Sequence, residues 1–68
     1  MSRRVIRVWS IDVLAGDSME VRTGSHVERV TADADAYPSF GGSGVSVPLT
    51  DGRVLFAAPW QTIEVERA

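Results

Sequence analysis

Two apolar runs, Val45 to Leu49 and Val54 to Ala58, flank the dipeptide Asp51-Gly52, and that juncture limits the possible folds more than any other part of the chain. Asp-Gly accepts the positive φ angles of a two-residue type I′ turn, whose twist matches that of paired strands. Such a turn sets Thr50 opposite Arg53 and predicts the pairs Leu49/Val54, Val47/Phe56 and Val45/Ala58. All six residues of those pairs then share one face, while Ser46, Pro48 and Thr50 meet Arg53, Leu55 and Ala57 on the other. Pro48 has no N–H to give to a ladder, so its strand is expected at an edge or beside a bulge.

Other segments carry the same signature of short, valine-rich runs between turns. From Val5 to Ala15, Val5, Trp9, Ile11 and Val13 fall on one face and Ser10 and Asp12 on the other, with Ile6, Val8 and Leu14 breaking the alternation. Gly16-Asp17-Ser18 predicts a turn into a strand from Met19 to Thr23, in which Met19 and Val21 share a face. A hairpin between these two runs would place Val13 or Ile11 opposite Val21. Gly24-Ser25 then predicts a second hairpin into Val27 to Ala32. A helix over about 25–37 competes, because Ser25 and Glu28 have capping-box spacing and Val27, Val30, Ala34 and Tyr37 keep a helical period up to Pro38. Asp33 and Asp35 near the negative end of that helix, and its β-branched valines, favour strand. Pro38 to Gly44 is a glycine-rich loop by composition, expected to be flexible. Thr62 to Glu66 alternates again, with Ile63 and Val65 inward and Glu64 and Glu66 outward.

The expected fold is therefore all-β, a single small domain over 1–68. Five or six short strands form an antiparallel meander, barrel or sandwich, the alternative being a sheet with one short helix at 25–37. The predicted core is Trp9, Phe56, Val47, Leu49, Val54, Ile11, Val13 and Ile63, and Trp9→Ala is expected to cost several kcal/mol. At 68 residues without cysteine, the chain can bury only about 60% of its unfolded surface and has no disulfide or thiolate metal site to support it. Association is the remaining source of stability.

No cofactor is implied. His26, the one histidine, falls in a predicted turn with no nucleophile-elbow sequence around any serine. Asp33 and Asp35 lack the further oxygen ligands of a calcium loop. The glycines before Val45 lack the lysine and hydroxyl residue of a phosphate loop. An enzyme is not expected. All seven basic residues are arginine, with neither lysine nor asparagine in the chain, which fits a GC-rich bacterium or a phage of one. No apolar run reaches transmembrane length and the opening Met1 to Arg7 lacks the apolar core of a signal peptide, so a cytoplasmic protein is expected.

Two binding readings remain. One is a protein-binding or self-associating module, whose candidate interface residues are Trp60, Leu55, Pro48 and Gln61. The other is a small β-barrel for single-stranded nucleic acid, using Arg3, Arg4 and Arg7 as a basic arm, against which stands the net charge of −2. The segment Val45 to Leu55, followed by Pro59-Trp60, resembles a hairpin found in bacterial and phage β-proteins. That resemblance covers about a quarter of the chain and implies a β-fold but no activity.

Overall fold

The structure is a computed structural model that describes residues 3–68, the Phe40 side chain excepted; Met1 and Ser2, the start of the arginine-rich opening, lie outside the described residues. The chain is all-β. Its seven strands are β1 (Arg4–Trp9), β2 (Ser18–Thr23), β3 (His26–Thr31), β4 (Tyr37–Ser39), β5 (Gly44–Pro48), β6 (Val54–Ala57) and β7 (Thr62–Arg67). They form two antiparallel sheets, ordered β1-β7-β2-β3 and β4-β5-β6. A bridge between Ala32 and Leu49 joins the sheets, with Asp33 N donating to Pro48 O at 2.8 Å and Thr50 N to Thr31 O at 3.0 Å.

The β2–β3 hairpin forms as its turn residues predict, with Thr23 opposite His26 across Gly24-Ser25. Gly24 takes a φ of 62°, a region that costs glycine little. Thus 26–31 is strand and no helix forms over 25–37. Tyr37–Ser39, inside the stretch that reads as helix end and loop, pairs with Gly44–Ser46 instead. That short strand raises the count from the expected five or six to seven.

Three expectations are corrected. First, β1 does not pair with β2. It pairs with the last strand, from Arg4↔Arg67 to Trp9↔Thr62, and leaves the sheet at a 3-10 turn over Ser10–Asp12. Ile6 and Val8, which break the sequence alternation, are the inward residues because they stand opposite Val65 and Ile63; Val5, Trp9 and Ile11 are exposed. Apolar cross-strand pairs outweigh the longer sequence pattern.

Second, the hairpin at Asp51-Gly52 is shifted by one residue. The pairs are Pro48↔Val54, Val47↔Leu55, Ser46↔Phe56 and Val45↔Ala57. The loop has three residues, Thr50-Asp51-Gly52, with Gly52 N donating to Leu49 O at 3.1 Å and Leu49 N to Arg53 O at 2.8 Å. Gly52 lies at φ 91°, the left-handed position that ends a three-residue bulged loop. A one-residue slip turns every side chain over. Leu55 and Ala57 therefore face inward, and Val54 and Phe56, expected in the core, face outward. A Cβ at Gly52 would meet nothing within 4 Å, so the cost of Gly52→Ala lies in the backbone angle alone. Urea denaturation is expected to show a loss of about 1–2 kcal/mol for this variant.

Third, of the edge or bulge expected beside Pro48, the edge is not found, although a bulged loop follows its strand. Pro48 closes β5, the central strand of its sheet, beyond the last residue that β4 pairs.

The buried hydrophobic residues are Val13, Met19, Val30, Ala32, Val45, Val47, Leu49 and Val65, so both sheets contribute. Of the predicted core, Val13, Val47 and Leu49 are buried and Ile63 packs against it, whereas Trp9, Ile11, Val54 and Phe56 are exposed. No described aromatic side chain is buried.

One ion pair, buried at its Asp17 end, fastens the loop between β1 and β2 to the end of β7. Asp17 accepts from Arg67 Nε at 2.9 Å, from Arg67 Nη2 at 2.7 Å and from the Leu14 backbone N–H at 2.9 Å. The Arg67 hydrogen bonds hold the Asp17 carboxyl below the usual carboxylate value in spite of burial. A second link is exposed: Arg53 engages both Asp51 of its own loop and Glu28 of β3.

Candidate functional site

Pro59 and Trp60 occupy the centre of the turn between β6 and β7. Gln61 N donates to Ala58 O at 3.1 Å, and proline suits the second position of such a turn because its φ is preset. Buried Ser10 anchors the turn, its Oγ donating to Ala58 O at 2.8 Å and its N–H to Gln61 O at 2.9 Å. With the backbone held, Trp60 projects outward at 77% exposure. Trp9, immediately before Ser10 and opposite Thr62, stands at the same end of the β1–β7 ladder and is 52% exposed.

A second apolar region covers the outer face of the three-stranded sheet. Tyr37, Ser46 and Phe56 form one cross-strand row, followed by Pro48 and Val54. Ser46 is buried between ring neighbours that are themselves open, Tyr37 at 47% and Phe56 at 61% exposure. Of the four predicted interface residues, the structure brings Trp60 and Gln61 together in one turn. Pro48 belongs to the sheet face, and Leu55 points inward against the core. Phe56, Trp9 and Tyr37 were missed by sequence reasoning. Phe56 emerges only from the bulged register, and Trp9 only from the non-local pairing of β1.

The predicted basic arm is divided. Arg4 and Arg7 stand on opposite faces of β1 by strand alternation. Arg7 lies 3.6 Å from Glu64 and bonds Thr62 Oγ1, and Arg3 bonds Ser18 Oγ at 3.4 Å. His26 is exposed at the start of β3, 3.9 Å from Glu28. Asp35 accepts from Ala15 N at 2.9 Å, holding the loop before β2. Among the described residues no three His, Asp or Glu side chains are grouped to hold a metal ion.

A cleft of about 600 Å³ opens between β2 and β7, floored by Leu55 and Ala57 of β6. Its walls alternate apolar residues, Met19, Val21, Ile63 and Val65, with charged ones, Glu20, Arg22 and Glu64. No protein-family model, no curated protein and no solved structure matches this chain.

Proposed function

We propose that this chain is a non-enzymatic protein-association module that covers its outward aromatic side chains against another polypeptide, a second copy of itself included. The observation that carries this reading is the distribution of aromatics: Tyr37, Trp9, Phe56 and Trp60 are all exposed while the core is built from valine, alanine, leucine and methionine. Large rings left in water forgo the burial that a domain this small most needs, and aromatic residues are the usual anchors of interfaces. The turn that presents Trp60 is fixed by buried Ser10, so little ordering is required of the backbone on binding.

Sedimentation equilibrium across a wide concentration range tests it. The expected result is association that rises with concentration and is weakened in a Phe56→Ser, Trp60→Ser double variant of unchanged circular dichroism. A chain that stays monomeric to high micromolar concentration contradicts the self-associating form of the proposal.

The second reading, binding of single-stranded nucleic acid, is favoured by one observation: Arg7 and Trp9 share the outward face of β1, a cation beside a ring on which a base could stack. The partnership of Arg7 with Glu64 and the net charge of −2 weigh against it. Salt-sensitive anisotropy of a labelled oligonucleotide would support this reading, and its absence at low ionic strength would remove it.

A further inference from the structure

Strands β2 and β7 are neighbours in the four-stranded sheet yet share one rung, Ser18 with Glu66. Continued, that register would set Glu20 against Glu64 and Arg22 against Thr62, and neither pair forms. The direction of the backbone groups there is fixed from both sides. On β2, Thr23 and His26 close a two-residue hairpin, so ladder alternation turns Arg22 and Glu20 away from β3. On β7, the bond from Ser10 N to Gln61 O sets the phase, so Ile63 and Val65 address β1 while Thr62 and Glu64 address the cleft. Four N–H and four C=O groups thus face the gap without strand partners among the described residues. Unpaired edges of this kind are templates for strand addition.

The side chains specify what fits. Met19, Ile63 and Leu55 give the cleft an apolar floor. At its outer rim one cross-strand row runs Arg7, Glu64, gap, Glu20, Arg29. Arg7 pairs with Glu64 and Arg29 with Glu66, which leaves Glu20 without an ion-pair partner among the described residues. Two carboxylates facing each other across the cleft repel each other and attract a cation placed between them.

We propose that the cleft receives an extended segment of a partner polypeptide as an added strand between β2 and β7, with an apolar side chain directed onto the floor and a lysine or arginine directed outward between Glu20 and Glu64. This rests on the protein-association reading and names its mode. A folded second copy cannot supply the strand, because each of the seven strands is already bonded along at least one edge and the cleft requires both edges free.

The test uses two capped pentapeptides, Val-Lys-Val-Glu-Val and its reverse Val-Glu-Val-Lys-Val, which cover both strand directions, with Val-Glu-Val-Glu-Val as control. They are titrated into the isotope-labelled protein and followed by NMR. The expected result is saturable shifts centred on the amides of Glu20, Arg22, Thr62 and Glu64, slowed hydrogen exchange there, and binding of the better lysine peptide at least about fivefold tighter than the control. Glu20→Lys should invert that preference. Absence of saturable shifts up to about 1 mM peptide, or equal affinity for all three, overturns the proposal. Shifts confined to Trp60 and Tyr37, which do not line the cleft, also overturn it while leaving protein association in place.

Discussion

Asp17→Ala is expected to lower the stability of the fold by about 3 kcal/mol. The substitution leaves the Arg67 guanidinium only the Asp12 carbonyl oxygen, at 3.3 Å, and orphans the Leu14 N–H, both groups that Asp17 satisfies at 2.7–2.9 Å. Removing one partner of a buried, hydrogen-bonded pair costs about 3–5 kcal/mol, and the lower end applies because Arg67 keeps a quarter of its side chain in water. A 68-residue domain has roughly 3–10 kcal/mol in total. Chemical denaturation of wild type and variant measures the difference directly.

The same pair sets an acid dependence with a definite sign. The folded-state pKa of Asp17 lies below its ordinary value of 3.8, chiefly through the Arg67 hydrogen bonds. Its stabilising contribution is therefore complete above that ordinary value and is lost as pH falls through the lower folded value. Asp17→Asn should flatten the part of the stability profile below about pH 4. It should not abolish the acid slope, since Arg53 lowers the pKa of Glu28 and Asp51 in the same way.

The second large effect is a reversal between two residues. Met19→Ala is expected to cost about 2–5 kcal/mol, because Met19 is 2% exposed among valines of both sheets and its truncation leaves a cavity. Trp9→Ala is expected to cost less than about 1 kcal/mol, the range for exposed positions. Urea denaturation of the two variants checks this, and a larger loss for Trp9 than for Met19 would place the ring in the core. Sequence reasoning assigned the costly substitution to Trp9, and the difference has a local cause. Periodicity alone made Trp9 inward, whereas the face that β1 buries is chosen by Val65 and Ile63 on a strand more than fifty residues away.

What could be read from sequence was local. The β2–β3 hairpin was legible because Gly24-Ser25 and the Met19/Val21 alternation agree, and β7 because Ile63 and Val65 alternate cleanly with glutamates. The register at Asp51-Gly52 was not. Val54-Leu55-Phe56-Ala57 is apolar on both faces, so either register buries something, and Asp-Gly serves a two-residue loop or the end of a three-residue one. Asp17 gave no sign of its role, since Gly16-Asp17-Ser18 reads as an ordinary turn and its partner lies at the far end of the chain. For the candidate site, Trp60 and Gln61 were legible from the Pro59 turn. Phe56 and Tyr37 were not, because their exposure depends on the slipped hairpin and on a strand hidden in a proline- and glycine-rich stretch.

Iodide quenching of tryptophan fluorescence, run over a series of protein concentrations alongside sedimentation, tests the outward placement of the aromatics most directly. At the dilute, monomeric end both Trp9 and Trp60 should be open to quenching, Trp60 more than Trp9, and protection should grow as partners or further copies cover them. Tryptophans shielded in a species that sediments as a monomer would contradict the account.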